Sequence, residues 1–562
     1  MSTIRTRPYQ STHVEQLVSS GLPPLFARLY AARGVSHPGD LETGLDKLIP
    51  FHQLKNVEAA ASRLADAIAH RERLLIVADY DSDGATACAV AMRALNAMGA
   101  TVDFIVPNRF EYGYGLTPEI VELAAQRQPD LLITVDNGIA SVDGIQAAKT
   151  LGIDVLVTDH HLPGDTLPEA LIVNPNQPDC PFPSKSLAGV GVIFYVMLAL
   201  RAELRQRGAF GDGSGPNLGN LLDLVALGTV ADVVKLDHNN RILVSQGLAR
   251  MRAGRAVPGI LSLFRIAGRQ FAQASCFDLG FTLGPRLNAA GRLDDMSLGI
   301  ACLLTDNVDH ALALASELDR LNRERRNIES GMQEEALAIL DGLNADDRYA
   351  ISLYRNDWHQ GVIGILASRV KDRFHRPTIV FAPGHEGEIK GSGRSIGPLH
   401  LRDALDLLSK RYPNLILKFG GHAAAAGLTI RECDFEHFKQ AFDDVARSLL
   451  HADDLAREFL TDGELSAREF SLDIAANLNR HVWGQGFPQP AFHGEFHVAN
   501  QRVVADRHLK LKLANQGQVL DAMLFNHATP LPERVRAVYR LSANEYNGNT
   551  TLQLILEHWE TA

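Results

Sequence analysis

Leu74-Leu-Ile-Val-Ala78-Asp79-Tyr-Asp81-Ser-Asp83-Gly84 is an apolar run that ends on three alternating aspartates and a glycine. A short unbroken apolar run reads as a strand buried on both faces of a parallel sheet. The pattern returns at Val102-Asp-Phe-Ile-Val106, Leu131-Leu-Ile-Thr-Val135 and Val155-Leu-Val-Thr158, with helical stretches of mixed polarity between. Alternation of this kind from Leu74 to about Val173 predicts an α/β domain with a doubly wound parallel sheet. A helical segment around Leu221 to Val234 completes it. The apolar run Leu187 to Leu200 contains two glycines and is too short to span a bilayer, so it reads as a buried helix.

The acids fall where the strands end. Leu74–Ala78 delivers Asp79, Asp81 and Asp83; Leu131–Val135 delivers Asp136-Asn-Gly138; Val155–Thr158 delivers Asp159-His160-His161. In an open parallel sheet the carboxyl ends share one edge, where ligands bind. Any one of these aspartates alone is by preference a turn former or a helix N-cap. Three consecutive strand ends of one sheet point instead to a metal site, because clustered carboxylates repel until a cation offsets them. Oxygen ligands with one or two imidazoles and no thiolate suit Mn²⁺ or Mg²⁺ better than zinc, and the histidine tilts the choice toward Mn²⁺. Asp136 is a natural bridge between two ions, and metals ~3.5–4 Å apart serve phosphoester hydrolysis. Asp159 has two readings, a ligand or an orienter of a neighbouring imidazole.

The 562 residues make about three to four domains and exclude a single small binding module. Hydrophobic content of 46% and charged content of 22% exclude global disorder, collagen and coiled coil. With 55 Lys+Arg against 66 Asp+Glu the formal net charge is −11, so any nucleic-acid contact must be local. The five cysteines, Cys88, Cys180, Cys276, Cys302 and Cys433, are scattered and never spaced CxxC, which argues against a disulfide framework or zinc knuckle and fits a reducing, cytoplasmic setting. The first residues carry no apolar stretch behind their arginines and do not read as a signal peptide.

Beyond Asp306, Leu314, Leu318, Leu321, Ile328, Met332 and Ile339 recur at helical spacing among dense charges and predict a long connecting helix. A second α/β unit begins near Tyr349, with Thr378-Ile-Val-Phe381 as a strand and three glycine-rich stretches, and ends around Leu450. The tail is β-rich. Leu509, Leu511 and Leu513 alternate with His508, Lys510 and Lys512, and Asn547-Gly548 precedes Leu552, Leu554 and Leu556, predicting a small barrel or sandwich.

Asp79-x-Asp81-x-Asp83-Gly84, Asp136-Asn-Gly138, Asp159-His160-His161 and Gly228-Thr-Val-Ala-Asp232 resemble the four motifs of the DHH phosphoesterase superfamily. Gly391-Ser-Gly-Arg394-Ser395 and Gly420-Gly-His422-Ala-Ala-Ala-Ala-Gly427 resemble its associated DHHA1 domain. Three further stretches sharpen the likeness to the superfamily's bacterial 5′→3′ single-strand-specific DNA exonucleases. They are Pro107-Asn-Arg109-Phe-Glu-Tyr112-Gly-Tyr114-Gly-Leu116, Gly284-Pro-Arg286-Leu-Asn288-Ala-Ala-Gly-Arg292 and Trp358-His359-Gln-Gly-Val-Ile-Gly364.

The resemblance implies an N-terminal segment at 1–50, a DHH catalytic domain at 51–305, a connecting helix at 306–345, a DHHA1 domain at 346–450 and an OB-fold-like DNA-binding domain at 451–562. It implies that Asp79, Asp81, Asp83, Asp136, His160 and Asp232 hold two Mn²⁺ or Mg²⁺ ions. Asp81, Asp83, Asp136, His160 and His161 would carry the chemistry, with His161 on the scissile phosphate or a ligand. Asp232 follows from the resemblance alone, since its helix is otherwise apolar. A terminal phosphate carries extra charge that arginine forks and hydroxyls select. By resemblance Arg109, Ser392 and Arg394 hold that 5′ phosphate, the latter two from a glycine-rich turn whose Gly391 and Gly393 admit close approach. Arg286 lies on the backbone, and His422 donates to a phosphate or sits buried at a tight helix start. Tyr112 and Tyr114 flank glycines, and one ring, Tyr114 above all, either stacks on a base or packs in the core. Arg502, Arg507, Lys510 and Lys512 concentrate charge on the tail, either gripping the strand or forming a polar sheet face.

The expected activity is degradation of single-stranded DNA from the 5′ end to 5′-mononucleotides, in recombination, mismatch and excision repair. Expected partners are single-stranded DNA, a single-strand-binding protein and a helicase, with no membrane and a monomeric chain. The alternatives are a DHH-type hydrolase of short RNA, cyclic dinucleotides or pyrophosphate, and a non-catalytic DNA-binding scaffold. Gly189-Val-Gly191 is half of a dinucleotide fingerprint in the wrong context and is discounted as a cofactor site.

Overall fold

The structure, a computed structural model, describes residues 2–108, 112, 115–211, 213, 215–341, 347–385, 387–546 and 549–562. It divides into two units, one formed by Leu321–Phe459 with the first five residues, the other by Thr6–Arg320 and Leu460–Ala562.

Five parallel strands build the sheet of the larger unit: β1 (Arg73–Ala78), β2 (Thr101–Ile105), β3 (Leu131–Val135), β4 (Asp154–Thr158) and β5 (Leu171–Val173). Their order is β2-β1-β3-β4-β5. The chain leaves β1 toward β2 on one side and β3 toward β4 on the other, so the winding reverses between β1 and β3. At such a switch point the crossovers diverge and open a crevice at the carboxyl edge.

One face carries Leu75, Val77, Leu132, Val157 and Ile172 against Ile120, Val121, Ala124, Ile145 and Ala148 of the helices Pro118–Ala125 and Val142–Thr150. On the other face lie α1 (Ser82–Ala97) and α2 (Gly189–Gln206), followed in sequence by α3 (Leu222–Ala231). Ala85, Ala87, Cys88, Ala89, Val90 and Ala91 of α1 are all fully buried. Such short side chains let α1 be enclosed on every side, and that carries its first turn, with Asp83, out of solvent. Among the described residues no helix is long and apolar enough to cross a membrane.

Val308–Asp341 is a single 34-residue helix, matching the periodicity read from Leu314 onward, and the division between the two units falls within it. In the smaller unit, strands Ile351–Tyr354, Thr378–Pro383, Glu388–Arg394, Ala425–Arg431 and Lys418–Gly421 form a mixed sheet in that spatial order. Only the first pair is parallel. The glycine-rich 391–395 stretch is therefore mostly strand, not the turn expected from composition.

The tail closes into a five-stranded barrel, and His508–Asn515 alternates as read, with Leu509, Leu511 and Leu513 inside. Asn547 and Gly548 lie outside the described residues. The N-terminal segment is not free-standing: within the larger unit the Arg33 side chain, itself fully buried, donates to both oxygens of Asp462, at 2.8 and 3.0 Å.

A candidate divalent-cation centre at the sheet's carboxyl edge

Ala78 pairs with Val135, and Val135 with Thr158, so β1, β3 and β4 end in one row. The next residues, Asp79, Asp136 and Asp159, leave side by side. Each donates its backbone N–H to the adjacent strand: Asp79 to Val135 O at 3.3 Å, Asp136 to Thr158 O at 3.0 Å and Asp159 to Val173 O at 3.2 Å.

Asp136 adopts a left-handed φ of 64°. Its turn is stapled by the Asn137 side-chain amide, which donates to Val77 O at 3.1 Å and Val135 O at 3.0 Å, and by Thr134 Oγ1, which donates to Asn137 O at 2.6 Å. Gly138 follows at φ 112°, where a Cβ would stand 2.7 Å from Thr134 Oγ1. A backbone conformation of this kind persists where its surroundings over-determine it.

Asp81 is the N-cap of α1, its Oδ1 accepting from Asp83 N at 2.8 Å and Gly84 N at 3.1 Å. Asp83 accepts from Gly189 N at 2.6 Å and Val190 N at 2.9 Å, the first N–H groups of α2. A helix N-terminus favours an anion there. A Cβ on Gly189 would lie 2.5 Å from Asp136 Oδ1, so glycine lets α2 reach both acids. The Gly189-Val-Gly191 signal, set aside as a nucleotide fingerprint, thus marks a structural anchor of the acids.

Asp232 caps the C-terminus of α3, where the helix dipole opposes an anion unless a cation is near. His160 Nε2 faces Asp136 Oδ1 at 3.1 Å, Asp232 Oδ2 at 3.5 Å and Asp83 Oδ2 at 3.9 Å. That buried nitrogen makes no hydrogen bond among the described residues. Burial, with the charge on His161, drives its pKa down to about 4, so the ring is neutral with a lone pair to offer.

Burial and the charges of Asp83, Asp81, Asp79 and Asp232 hold the Asp136 carboxyl well above its ordinary range. Burial and Asp83, Asp81 and Asp79 do the same to Asp232. Asp83 is raised by burial and Asp81 against the pull of its two helix N–H partners. For His161, burial is outweighed by the 2.8 Å hydrogen bond to Asp159 and the charges of Asp159, Asp79 and Asp81, which push it up to about 9.

Asp159 spends both oxygens on the chain. Oδ2 accepts from Ile139 N at 2.9 Å; Oδ1 accepts from His160 N at 2.7 Å, from His161 N at 3.1 Å and pairs with the His161 ring. Of its two readings the geometry gives the orienter.

Ligand atoms converge in the groups Asp79–Asp81–Asp136, Asp83–His160–Asp232 and Asp136–His160–His161, each within 4.8 Å. Repelling buried carboxylates and an open imidazole nitrogen are the donor set of a hard divalent cation, and the residues present fit one.

Support comes from α4 (Gly284–Leu293), a segment whose sequence points to substrate contact alone. Asn288 Oδ1 accepts from Ser82 N at 2.7 Å and Ser82 Oγ at 2.9 Å, and Gly291 packs against the Tyr80 carbonyl. Arg286 donates Nε to Asp319 at 2.9 Å and Nη1 to Thr282 O at 2.6 Å. Its fork is thus held by protein acceptors. Arg109 and Tyr114 lie outside the described residues. Tyr112 is half-buried against the sheet's helix-covered core.

In the smaller unit, Ser392 and Arg394 share one strand face, with Arg394 Nη1 donating to Ser392 Oγ at 3.2 Å and Gly393 O at 2.8 Å. A Cβ on Gly364 would stand 2.9 Å from Ser392 Oγ and 3.0 Å from Arg394 Nη2, so that glycine keeps room beside the pair. Gly391 and Gly393 do not serve close approach to a phosphate. A Cβ on Gly391 would strike Phe381 at 2.6 Å and one on Gly393 would strike Leu401 at 2.8 Å, so both admit core side chains. His422 is neither buried nor at a helix start: it is exposed in the turn between two strands, its N–H donating to Ala425 O at 2.8 Å. On the barrel Arg502 pairs with Lys510, and Lys512 is held by Asp521 at 2.9 Å.

Residues 73–229 match the DHH family, N-terminal domain; residues 346–448 match the DHHA1 domain; and residues 461–558 match the RecJ OB domain. The chain is 52% identical to the single-stranded-DNA-specific exonuclease RecJ of Salmonella typhimurium over 95% of this chain and 96% of that protein. It is 51% identical to the Escherichia coli protein of the same name over 96% of each. RecJ from Thermus thermophilus, solved in complex with Mn²⁺, is similar with a TM-score of 0.84 and 30% identity, over 100% of this chain and 79% of that one. The Mg²⁺ complex gives 0.78 and 28%, over 100% and 78%. Matched by these three domain models and alike to these relatives over nearly its whole length, the chain belongs to the RecJ family of single-stranded-DNA-specific exonucleases.

Proposed function

We propose that this protein is a divalent-cation-dependent exonuclease that degrades single-stranded DNA from the 5′ end to 5′-mononucleotides. The observation that carries the reading is the row of strand ends that sets Asp79, Asp136 and Asp159 side by side, with His160 Nε2 3.1 Å from Asp136 Oδ1. Asp79, Asp81 and Asp136 would hold one ion, and Asp83, His160 and Asp232 a second, with Asp136 shared. Two Mn²⁺ or Mg²⁺ ions there supply activation of water and neutralisation of the leaving oxygen in phosphodiester hydrolysis.

The chain's own part is positioning. Asp159 fixes the His161 ring through Nδ1, and this half-exposed imidazole would contact the scissile phosphate. Two N–H groups of α2 hold Asp83 in place before any ion arrives.

Ser392 and Arg394 form a hydroxyl–guanidinium pair suited to a terminal phosphate, and with Arg109 they would choose the 5′ end. Tyr114 would stack on the terminal base, Arg286 would lend charge to the DNA backbone while Asp319 holds it, and His422 would donate from its exposed turn. The barrel's Arg502 and Lys510 would grip the strand beyond the cut. The reading places the protein in recombination, mismatch and excision repair, working on strands opened by a helicase and coated by a single-strand-binding protein.

Digestion of 5′-labelled and 3′-labelled single-stranded DNA with added Mn²⁺ tests it. The 5′ label should appear at once as mononucleotide while the 3′ label stays on a shortening strand; release of the 3′ label first would overturn the assignment.

A further inference from the structure

We infer that Phe281, stacked on Phe277, is a platform on which an unpaired base rests beside the cation centre; this rests on the single-strand nuclease reading above. The two rings lie 5.1 Å apart at 25° between planes. Phe281 is 74% exposed, more than any other large hydrophobic side chain among the described residues, and Phe277 is 52% exposed. The Arg269 guanidinium sits 5.8 Å from the Phe277 ring centre and is itself held 3.3 Å from Asp278. An exposed aromatic pair backed by a cation is the arrangement that sequence-tolerant single-strand binders use.

Its place in the fold ties it to the acids. Phe281 lies in one wide π turn, Leu279–Leu283, that leads into α4, and turns of this kind recur at functional sites. A Cβ on Gly280 would stand 3.5 Å from Val230 Cγ1, and one on Gly284 would stand 3.1 Å from Ala231 Cβ, so the turn lies on the residues just before Asp232. The Gly284 carbonyl also accepts from Ser82 Oγ at 3.0 Å, at the start of α1 between Asp81 and Asp83. Val233, directly after Asp232, is 63% exposed and holds a left-handed φ of 62°, which a β-branched residue adopts only under constraint. Two apolar side chains are thus kept in solvent on the frame that positions the acids. A base within a duplex is paired and stacked and has no free face to offer, so the platform would add to single-strand preference.

The test is binding of a 15-nucleotide single strand to the full chain by fluorescence anisotropy in EDTA, which blocks cleavage. Phe281→Ala should weaken binding about tenfold, and Phe281→Trp should restore it, which separates stacking from a folding defect. Placing an abasic site at successive positions should locate one base whose loss weakens the wild type equally but leaves Phe281→Ala unaffected. Equal binding by the wild type and Phe281→Ala, or abasic penalties that add to the substitution at every position, would overturn the platform and leave the patch to a protein partner. A wild type that binds no single strand would instead bring down the nuclease reading, and the platform with it.

Discussion

Nε2 of His160 stands 3.1 Å from Oδ1 of Asp136, at the ends of two adjacent parallel strands. A neutral imidazole nitrogen and a crowded carboxylate oxygen at that distance, both facing Asp83 and Asp232, leave the cation-free protein electrostatically incomplete.

Neutralising one acid should therefore have opposite effects on the two forms. Asp136→Asn should stabilise the cation-free protein, on the order of 1 kcal/mol or more, because a repelled buried carboxylate is removed. It should also abolish most of the stabilisation that Mn²⁺ gives the wild type and lower nuclease activity by about a hundredfold or more. Thermal denaturation in EDTA and in Mn²⁺, beside the exonuclease assay, checks both effects. A cation-free variant less stable than the wild type would contradict the repulsion argument.

Gly189→Ala places a methyl group 2.5 Å from Asp136 Oδ1 and pushes α2 away from Asp83. Overpacking of this kind costs about 1–3 kcal/mol. Urea denaturation should show that loss, and the Mn²⁺ concentration giving half-maximal activity should rise about tenfold or more. Wild-type metal dependence in this variant would show that α2 does not position the acids.

Arg33 and Asp462 form a buried two-pronged pair between the N-terminal segment and the start of the barrel region, with Asp462 Oδ2 also accepting from Ala491 N at 3.1 Å. Asp462→Ala leaves a buried guanidinium uncompensated and should cost about 3–5 kcal/mol. Denaturant unfolding measures this directly; a change under 1 kcal/mol would mean that water replaces the carboxylate.

His481 gives a pH dependence of known sign. Burial, with Arg252 nearby, holds it below its ordinary value of 6.5, and its Nδ1 lies 2.6 Å from the Tyr30 hydroxyl. As pH falls below about 6.5 the unfolded chain takes up this proton first, so stability declines until the folded ring also protonates; above that value the group has no effect. Denaturation midpoints at pH 7.5 and 5.5 should fall more steeply for the wild type than for His481→Gln. Parallel slopes would contradict it.

The sheet is legible in the sequence because its strands are continuous apolar runs, fully buried at Leu131–Val135 though partly exposed at the edge strand Thr101–Ile105, so the reading of Leu131–Val135 holds to the residue and that of the other three to within one. The acids are legible for the same reason: a strand that ends abruptly on Asp announces its edge. Asp232 gives no such signal, since an apolar helix hides which of its ends meets the site. Gly189 and Asn288 escape a reading of the sequence because their work is done by a backbone N–H and a side-chain amide on chain segments far from the acids, and periodicity carries no information on that. The glycines at 391 and 393 mislead in the opposite direction, since a glycine that admits Phe381 or Leu401 into a core looks in sequence like one that admits a ligand.

Anomalous diffraction at the manganese edge, on crystals grown with Mn²⁺, is the most direct test. Two peaks about 3.5–4 Å apart, with Asp136 between them and His160 Nε2 on the one shared with Asp83 and Asp232, are the predicted result. No peak among these residues, or His160 turned away from every ion, would contradict the account.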